Sequence, residues 1–316
     1  MGKMPTTRLI LWTIAAALLL ALPPVMSAIG QPFYIDLVRR IMILAIAAVS
    51  LNFILGYGGL VSFGHAAYLG IGAYAVGILG FYGITSGWAQ VAVAIIASAV
   101  VALAIGAVSL RTSGVYFIMI TLAFAQMLYY LGISLETYGG DNGMRLAARS
   151  KFGGPIDLHQ PMVFYYVVLA ILVLFLVLGG RLVESRFGMV IRAAKSNEPR
   201  ARAIGFSPFR YKLTAFVIAG SAGGLAGALL ANQTEYLTPE FMHWTRSGEI
   251  MFMVILGGMG TLFGPVIGAI VLLLLEDVLS ALTAHWQIVL GPILVLVVLF
   301  AKHGLVGLLR VTPRDG

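Results

Sequence analysis

Long runs of apolar residues, separated by short polar or glycine-rich stretches, recur along the whole chain. An α-helix needs about 20 consecutive apolar residues to cross a hydrocarbon layer roughly 30 Å thick. Within such a layer each helix must satisfy its own backbone polar groups. The pattern therefore predicts an all-α polytopic membrane protein with about ten membrane segments. The predicted segments are Leu9–Ile29, Ile41–Leu55, Gly64–Ile84, Trp88–Leu110, Val115–Leu135, Met162–Leu182, Leu213–Asn232, Gly248–Leu262, Gly264–Leu282 and Trp286–Ala301.

The second and eighth segments are short, and each leads into a glycine-rich stretch, so each is a candidate half-helix. The two stretches resemble one another, because LGYGGLVSFG at 55–64 and LGGMGTLFG at 256–264 both precede an apolar helix. Transporters are often built from internal repeats whose interrupted helices line the substrate path. One explanation is an internal repeat, and the other is that glycine-rich membrane helices share a composition.

The charged residues indicate which side of the membrane each loop occupies. With the amino terminus inside, the inner side holds 14 basic and three acidic residues, and the outer side holds six basic and nine acidic residues. The positive-inside rule favours this orientation, with both termini cytoplasmic. Arg39 and Arg40 fall on the outer side, where they either pair with Asp36 or extend toward the membrane surface. The inner set comprises Lys3, Arg8, Arg111, the eight basic residues from Arg181 to Lys212, Lys302, Arg310 and Arg314, with the acids Glu184, Glu198 and Asp315.

The first segment follows two basic residues and therefore resembles a signal peptide. Its apolar run is longer than the roughly 7–15 residues of a signal-peptide core, so we expect a retained helix. Residues 1–316 are expected to form one transmembrane domain. Its largest loops are an inner loop at 183–212 and an outer loop at 136–161.

The composition narrows the possible chemistry. The chain is 60% hydrophobic and only 10% charged, and its mean hydropathy is +0.99. The absence of cysteine excludes disulfides, thiol catalysis and cysteine-ligated metals. The sequence has no P-loop, no GxSxG elbow and no His/Cys cluster. We therefore expect no enzymatic activity, no metal site and no cofactor in this chain, and the net charge of +8 reflects membrane topology rather than nucleic-acid binding.

Ionisable residues inside the predicted membrane segments are few. His65 lies near the inner end of a segment, Glu249 lies near an outer end, and Glu276 and Asp277 lie about two-thirds of the way across. Ion-driven carriers usually place charges near mid-membrane. This scarcity indicates that energy comes from another subunit, and an ion-coupled secondary carrier using Glu276 and Asp277 is the competing hypothesis.

The inner loop contains eight of the 20 basic residues and has a helical pattern of its own. Its apolar residues recur at i, i+3, i+4 and i+7, which predicts one apolar face on a short helix. Pro199 disfavours helix in the residue before it and suits a first helical turn, whereas Gly205 suits a helix end. The pattern predicts two short helices meeting at Asn197–Pro199, which either dock a soluble partner or serve only as a topology signal. The apolar face consists of Phe187, Val190, Ile191 and Ala194.

Two groups of polar and glycine positions are candidates for a substrate pathway. The first group lies around the glycine-rich stretch at 55–64. Its residues either line the substrate path or form hydrogen bonds with neighbouring helices, and a structural role is the favoured interpretation for His65. The second group lies in the predicted outer loop, and its residues suit tight turns with positive φ. They also suit an outer entrance whose backbone N–H groups meet a substrate carboxylate. The first group is Asn52, Gly58, Gly59, Ser62 and His65, and the second is Gly140, Asp141, Asn142 and Gly143.

Several blocks resemble a known family when taken together. They are LNFILGYGGLVSFGHAAYLGIGAY at 51–74, GGDNG at 139–143, SRFGMVIRAAKSNE at 185–198, AIG at 203–205, RYKLTAF at 210–216, GGLAGA at 223–228 and LGGMGTLFGPVIGA at 256–269. This set, which covers nearly the whole chain, is similar to the LivM-type permease subunit of branched-chain amino acid ABC importers.

The resemblance implies a permease subunit in the bacterial inner membrane that imports branched-chain or related small neutral amino acids. Related permeases serve urea, amides or aromatic acids, which is the alternative. The implied partners are a second, related permease in a heterodimer, two cytoplasmic ATPases and a periplasmic substrate-binding protein. ATP and Mg would be bound by the ATPases. The binding protein sets much of the selectivity in such systems.

The resemblance also implies that the inner loop couples to the ATPase through a motif of the form Glu-Ala-Ala-x-x-x-Gly. Aligned on Gly205, this motif has Pro199 where the family has Glu, and Glu198 falls one residue early. The role of that carboxylate is therefore unsettled, while the helix-break-helix pattern is kept. The implied coupling residues are Phe187, Val190, Ile191, Arg192, Asn197, Glu198, Pro199 and Gly205.

Overall fold

The computed structural model describes residues 6–154, 156–283, 285–300 and 304–309. Five residues used in the charge argument lie outside this range, namely Lys3, Lys302, Arg310, Arg314 and Asp315. So does Ala301, the predicted end of the tenth segment.

Thirteen α-helices make up most of the described chain. They are α1 (Thr6–Ile29), α2 (Pro32–Asn52), α3 (His65–Phe81), α4 (Gly87–Ser109), α5 (Val115–Ser134), α6 (Pro161–Glu184), α7 (Arg186–Ser196), α8 (Glu198–Ala203), α9 (Pro208–Thr234), α10 (Trp244–Gly257), α11 (Gly264–Leu282), α12 (Trp286–Phe300) and α13 (Gly304–Leu309). Two short strands, β1 (Met144–Arg145) and β2 (Tyr236–Leu237), pair antiparallel between the outer loops.

Within the described residues, six helices are long and apolar enough to cross a membrane. These are α2 with the turn that follows it, α4, α5, α6, α9 and α11. Three shorter apolar stretches, Ala17–Ile29, His65–Phe81 and Trp286–Val297, coincide with the first, third and tenth predicted segments. The protein is therefore an all-α, multi-pass membrane protein.

Helices α2, α3 and α9 form the centre of the molecule, and α4 and α11 pack around them. Small residues allow the central helices to approach closely, as is common in membrane proteins. A Cβ atom added to Gly72 in α3 would lie 1.8 Å from the carbonyl oxygen of Gly224 in α9. One added to Gly227 would lie 1.8 Å from the carbonyl oxygen of Leu69. The backbones of α3 and α9 are thus in direct contact.

The half-helix prediction for the second segment is wrong. The helix begins at Pro32 rather than Ile41, and with its terminal turn it is 26 residues long. The sequence pattern placed Asp36, Arg39 and Arg40 in a loop because they are charged. In the structure these charges are paired, so they remain helical.

The pairing of Arg39 explains how a charge is accommodated in the central helix. Its side chain is only 2% exposed and forms an ion pair with Asp36, one turn earlier. It also donates hydrogen bonds to the side chain of Gln233 and to the carbonyl of Pro161, the latter at 3.3 Å. Its guanidinium lies 4.5 Å from the ring centroid of Phe164, a favourable cation–π distance. The predicted pairing with Asp36 is confirmed.

The eighth segment is short, as expected. Helix α10 has 14 residues and is therefore about 21 Å long, less than the roughly 30 Å of a hydrocarbon core. Its bounds lie four to five residues earlier than the predicted Gly248–Leu262, because the polar start of the helix is capped by His243. The side chain of His243 accepts a hydrogen bond from the N–H of Thr245.

Candidate functional site

The first of two helix breaks lies between α2 and α3. Helix α2 widens into a π-helical turn, Phe53–Tyr57, and residues 58–64 are irregular until α3 begins. Gly59 has a φ of +70°, a conformation that L side chains rarely adopt. The N–H groups of Gly59 and Leu60 donate to carbonyls of the preceding turn at 3.0 and 2.9 Å. The break is therefore hydrogen-bonded, and it is not a frayed helix end.

Asn52 connects this break to the second one, which follows α10. Its buried side chain donates from Nδ2 to the carbonyl of Thr261 at 2.9 Å, and its Oδ1 accepts from the N–H of Gly260 at 2.9 Å. Gly258 and Gly260 have positive φ, as a tight reversal requires. A Cβ on Gly56 would lie 2.1 Å from Asn52 Oδ1. The two similar glycine-rich stretches are thus in contact.

Ser62 and His65, the other polar candidates of the first group, are fully buried. His65 Nε2 shares a 2.8 Å hydrogen bond with Ser50 Oγ, which lies 2.7 Å from the carbonyl oxygen of Ala47. Ser62 Oγ accepts from the N–H of Gly64 at 3.3 Å. These contacts tie α3 to α2 and fit the structural interpretation of His65. A role of these residues in the substrate pathway stays a prediction.

The outer glycine motif forms tight turns. Gly139, Gly140 and Gly143 have φ angles of +94°, +51° and +76°. The chain makes two consecutive 3₁₀ turns here and then enters β1. Asp141 and Asn142 are exposed. The turn prediction is confirmed, while the function of the motif as a substrate entrance stays a prediction.

The inner loop forms two short helices with an angle between them. Ser185 caps α7 by accepting from the N–H of Gly188 at 3.4 Å, and Asn197 caps α8 by accepting from the N–H of Arg200 at 2.9 Å. Asn197 has an extended backbone, which ends α7, and Gly205 follows α8 with a φ of +91°. The predicted helix-break-helix shape is confirmed.

The apolar face of α7 points into the protein. Val190, Ile191 and Ala194 are at most 5% exposed. The ring of Phe187 stacks on Phe53 of the π-helical turn and lies 5.5 Å from the ring centroid of Tyr211 at the start of α9. This face therefore holds α7 against α2 and α9. A soluble partner cannot reach it in this conformation.

Other apolar side chains of the inner loop face outward. Met189, Ile204 and Phe206 are 51%, 65% and 41% exposed. The sequence pattern did not select them, because helical periodicity identifies an apolar face without saying what covers it. Arg192 and Pro199, two of the implied coupling residues, are exposed as well.

Glu198 joins α8 to α9. Its carboxylate accepts a hydrogen bond from Arg202 at 2.6 Å and from Lys212 at 2.5 Å. Burial alone would raise the pKa of the Glu198 carboxyl, but the hydrogen bonds from Lys212 and Arg202 outweigh it and lower that pKa. The i, i+4 spacing to Arg202 was visible in the sequence, whereas the contact with Lys212 depends on how the chain turns.

Lys195 connects the inner loop to the first helix break. Its ammonium group donates to the carbonyl of Gly56 in the π-helical turn at 2.7 Å. Its methylene stem lies over Gly59, where an added Cβ would come within 3.0 Å of Lys195 Cγ. Sequence reasoning missed this residue, because a lysine beside a polar loop has no signal of its own.

Two carboxylates within the predicted membrane segments, Glu249 and Glu276, have arginine neighbours. Arg246 lies 2.6 Å from Glu249, and Arg40 lies 3.9 Å from Glu276. In the part of the chain that the structure describes, no group of three or more His, Asp or Glu side chains could hold a metal ion.

Comparisons with known proteins agree with this architecture. The family described as branched-chain amino acid transport system, permease component, matches residues 33–299. The LivM permease proteins of the high-affinity branched-chain amino acid transport systems of Salmonella typhimurium and Escherichia coli are each 28% identical over 311 residues. These matches cover 90% of this chain and 73% of the relatives. The LivH permease protein of E. coli is 25% identical over 284 residues, covering 83% of this chain and 91% of LivH. No solved structure matches.

Proposed function

Because this chain belongs to the family of branched-chain amino acid transport permease components, we propose that it is a permease subunit of an ATP-driven importer. Its substrates are branched-chain or related small neutral amino acids, as the names of the LivM and LivH relatives suggest. The subunit itself is not an enzyme, and ATP and Mg are bound by separate ATPase subunits. The second permease, the two ATPases and the periplasmic binding protein belong to this proposal.

The observation that carries the proposal is the contact of the inner loop with the first helix break, which Asn52 in turn joins to the second. Lys195 binds the carbonyl of Gly56 at 2.7 Å. One turn before Gly56, Asn52 binds the backbone of Gly260 and Thr261 in the second break. Movement of α7 thus changes the positions of both breaks. Alternating access requires such a two-state element linked to a docked partner.

We assign the ATPase contact to the outward face of the inner loop. Met189, Ile204 and Phe206 supply exposed apolar surface. Arg192 and Pro199 are also exposed, and the buried face of α7 attaches the loop to the membrane helices. On the other side of α7, Val190 and Ile191 are buried against the membrane helices. A push by the ATPase on the exposed surface would therefore be transmitted to those helices.

We also propose the finer topology. Ten membrane segments, with α10 as a half-helix, place both termini and the inner loop in the cytoplasm, in a bacterial inner membrane. The contact between the two glycine-rich stretches supports an internal repeat, and Asn52, Gly58, Gly59 and the outer motif at 139–143 are proposed to line the path.

Reconstitution tests the proposal. The chain is placed in proteoliposomes with its second permease, its ATPases and its binding protein, and uptake of radiolabelled leucine, isoleucine and valine is measured. We expect uptake that requires ATP and stops with catalytically inactive ATPases. Gradient-driven uptake by this chain alone would contradict the proposal and favour an ion-coupled carrier. Competition by urea, amides or aromatic acids but not by leucine would contradict the substrate class.

A further inference from the structure

A cavity of about 560 Å³ lies at the inner ends of the membrane helices. Three segments surround it: the chain after the π-helical turn at 58–61, the α4–α5 connection with the start of α5 at 110–118, and the α7–α8 junction at 194–202. Lys212 of α9 completes the lining. Gly58 and Gly59 of the proposed path and Pro199 of the proposed ATPase contact border this cavity, but neither proposal assigns it a bound ligand.

The lining is strongly basic. It contains the four cationic side chains Arg111, Lys195, Arg202 and Lys212 against the single carboxylate Glu198, a formal net charge of plus three. Glu198 is fully engaged by Arg202 and Lys212. Among the described residues the side chain of Arg111 has no ion-pair partner, and it donates one hydrogen bond, from Nε to the carbonyl of Ala107 at 3.2 Å. An anion in the cavity would therefore meet cationic charge that the protein itself does not neutralise.

The cavity also has an apolar side that faces the membrane segments. Leu60, Val61, Leu110 and Phe117 belong to this part of the lining. Next to it, the first turns of α5 expose Val115, Tyr116 and Met119, at 66%, 74% and 61%. Aromatic residues at such a position are typical of a membrane–water boundary. The cavity thus combines a charged part with exposed apolar surface beside it, as a lipid headgroup site at a membrane boundary requires.

We propose that this cavity binds the phosphate headgroup of an anionic phospholipid. A basic pocket between membrane helices on the cytoplasmic side has the chemistry that recognises such headgroups; the cytoplasmic position of this cavity rests on the topology proposed above. The start of α5 adds N–H groups that have no helical partner, and these favour an anion. Arg111 is the specific contact because its charge is unpaired. The phosphate contacts the α7–α8 junction, so this lipid would brace the segment that contains Lys195 and Glu198.

The test measures thermal unfolding of the full-length chain in mild detergent through its four tryptophans. Added probes are phosphatidylglycerol, phosphatidylcholine with the same acyl chains, and inorganic phosphate. We expect phosphatidylglycerol to raise the melting temperature above the value in phosphatidylcholine. In Arg111→Gln the half-saturating concentration of phosphatidylglycerol should rise about fivefold, the effect of one basic residue near an anionic surface. Unchanged melting of this variant in phosphatidylcholine shows that it is folded.

The matched control is Arg181→Gln, which removes an exposed arginine at the inner end of α6, outside the cavity. It should leave the half-saturating concentration nearly unchanged. Equal effects of the two substitutions would overturn the proposal in favour of general surface attraction. If inorganic phosphate alone stabilised the protein as much as phosphatidylglycerol does, the lipid proposal would be overturned in favour of a free anion as the ligand. If phosphatidylglycerol no longer raised the melting temperature once the ATPases were bound, the lipid proposal would be overturned, and the cavity would be assigned to acidic side chains of a partner.

Discussion

At the scale of single residues, two of the polar candidates, Asn52 and His65, act as connections between segments of the chain. Asn52 and His65 are buried and bonded to other segments of the chain. Lys195 is the residue through which the inner loop reaches the first helix break. A buried polar group is stable only with a partner, so such residues select which segments can pack together. The presence of a polar residue in a membrane segment does not by itself show whether that residue connects helices or contacts the substrate.

Lys195→Met should reduce transport more than it reduces ATP hydrolysis. Methionine keeps most of the apolar stem over Gly59 but removes the bond to the Gly56 carbonyl. Without this bond α7 can move while the helix break stays in place. We expect a several-fold lower ratio of amino acid imported to ATP hydrolysed in proteoliposomes. Arg186→Met, on the exposed start of the same helix, is the control. An unchanged ratio in Lys195→Met would exclude the connection.

Glu198→Gln should destabilise the protein in a pH-dependent way. The folded-state pKa of Glu198 lies below its ordinary value of 4.5, so its bridge stabilises the fold above about that pH. The stabilisation is lost as the pH falls through the lowered folded-state pKa. Melting curves should therefore differ most at neutral pH and converge in acid. Glu184→Gln, exposed and without an ion pair in the described chain, should show no such convergence. A difference constant with pH would contradict the bridge.

At the scale of secondary-structure elements, both helix breaks are formed by glycines whose φ angles or close contacts exclude other residues. The breaks keep their hydrogen bonds, as non-helical backbone at membrane depth must. Helix α7 packs on the first break with the face that its sequence periodicity predicted. The pattern identified the face, and the packing shows that it is an internal contact.

The two sides of α7 should respond differently to charge. Ile191→Asp places a carboxylate at a position that is 1% exposed, so the free energy of unfolding should fall by several kcal/mol. Met189→Asp, at 51% exposure on the same helix, should leave the melting temperature nearly unchanged but weaken the ATPase contact. The measurements are melting in detergent and copurification of the ATPases. Normal ATPase binding by Met189→Asp would remove Met189 from the docking surface.

At the scale of the whole molecule, the protein is organised around α2, α3 and α9, which are joined by close glycine contacts. The buried charge of α2, that of Arg39, is paired with Asp36, whose side chain is exposed. The first helix break and the inner loop meet before the start of α3, whereas the chain leading to the glycine motif at 139–143 lies past its other end, where the hydroxyl groups of Tyr82 and Tyr138 are 3.0 Å apart. This separation fits a path with two ends.

The proposed orientation can be tested by cysteine labelling, because the chain has no cysteine of its own. In intact cells a membrane-impermeant maleimide should label Asn142→Cys but not Ser207→Cys. Both positions are exposed, so burial does not explain a difference between them. Permeabilised cells expressing the chain without ATPases should label both variants. Labelling of Ser207→Cys in intact cells would reverse the topology.

The sequence alone predicted the class of the protein, the approximate positions of most helices and the two short helices of the inner loop. These features depend on local properties: the length of apolar runs, the capping residues and the effect of proline and glycine on the backbone. The same local information placed the start of α2 nine residues too late, because it counted the charges of Asp36 and Arg39 without their pairing.

The tertiary structure decided which surfaces are covered and which distant residues meet. Asn52 and Gly260 are separated by 208 positions, and Lys195 and Gly56 by 139, yet each pair shares a hydrogen bond. No local pattern encodes such contacts, because they depend on how all the helices pack at once. For the same reason, only the packed structure shows that α7 exposes Met189 and buries Ile191, and that four separate basic residues line one cavity.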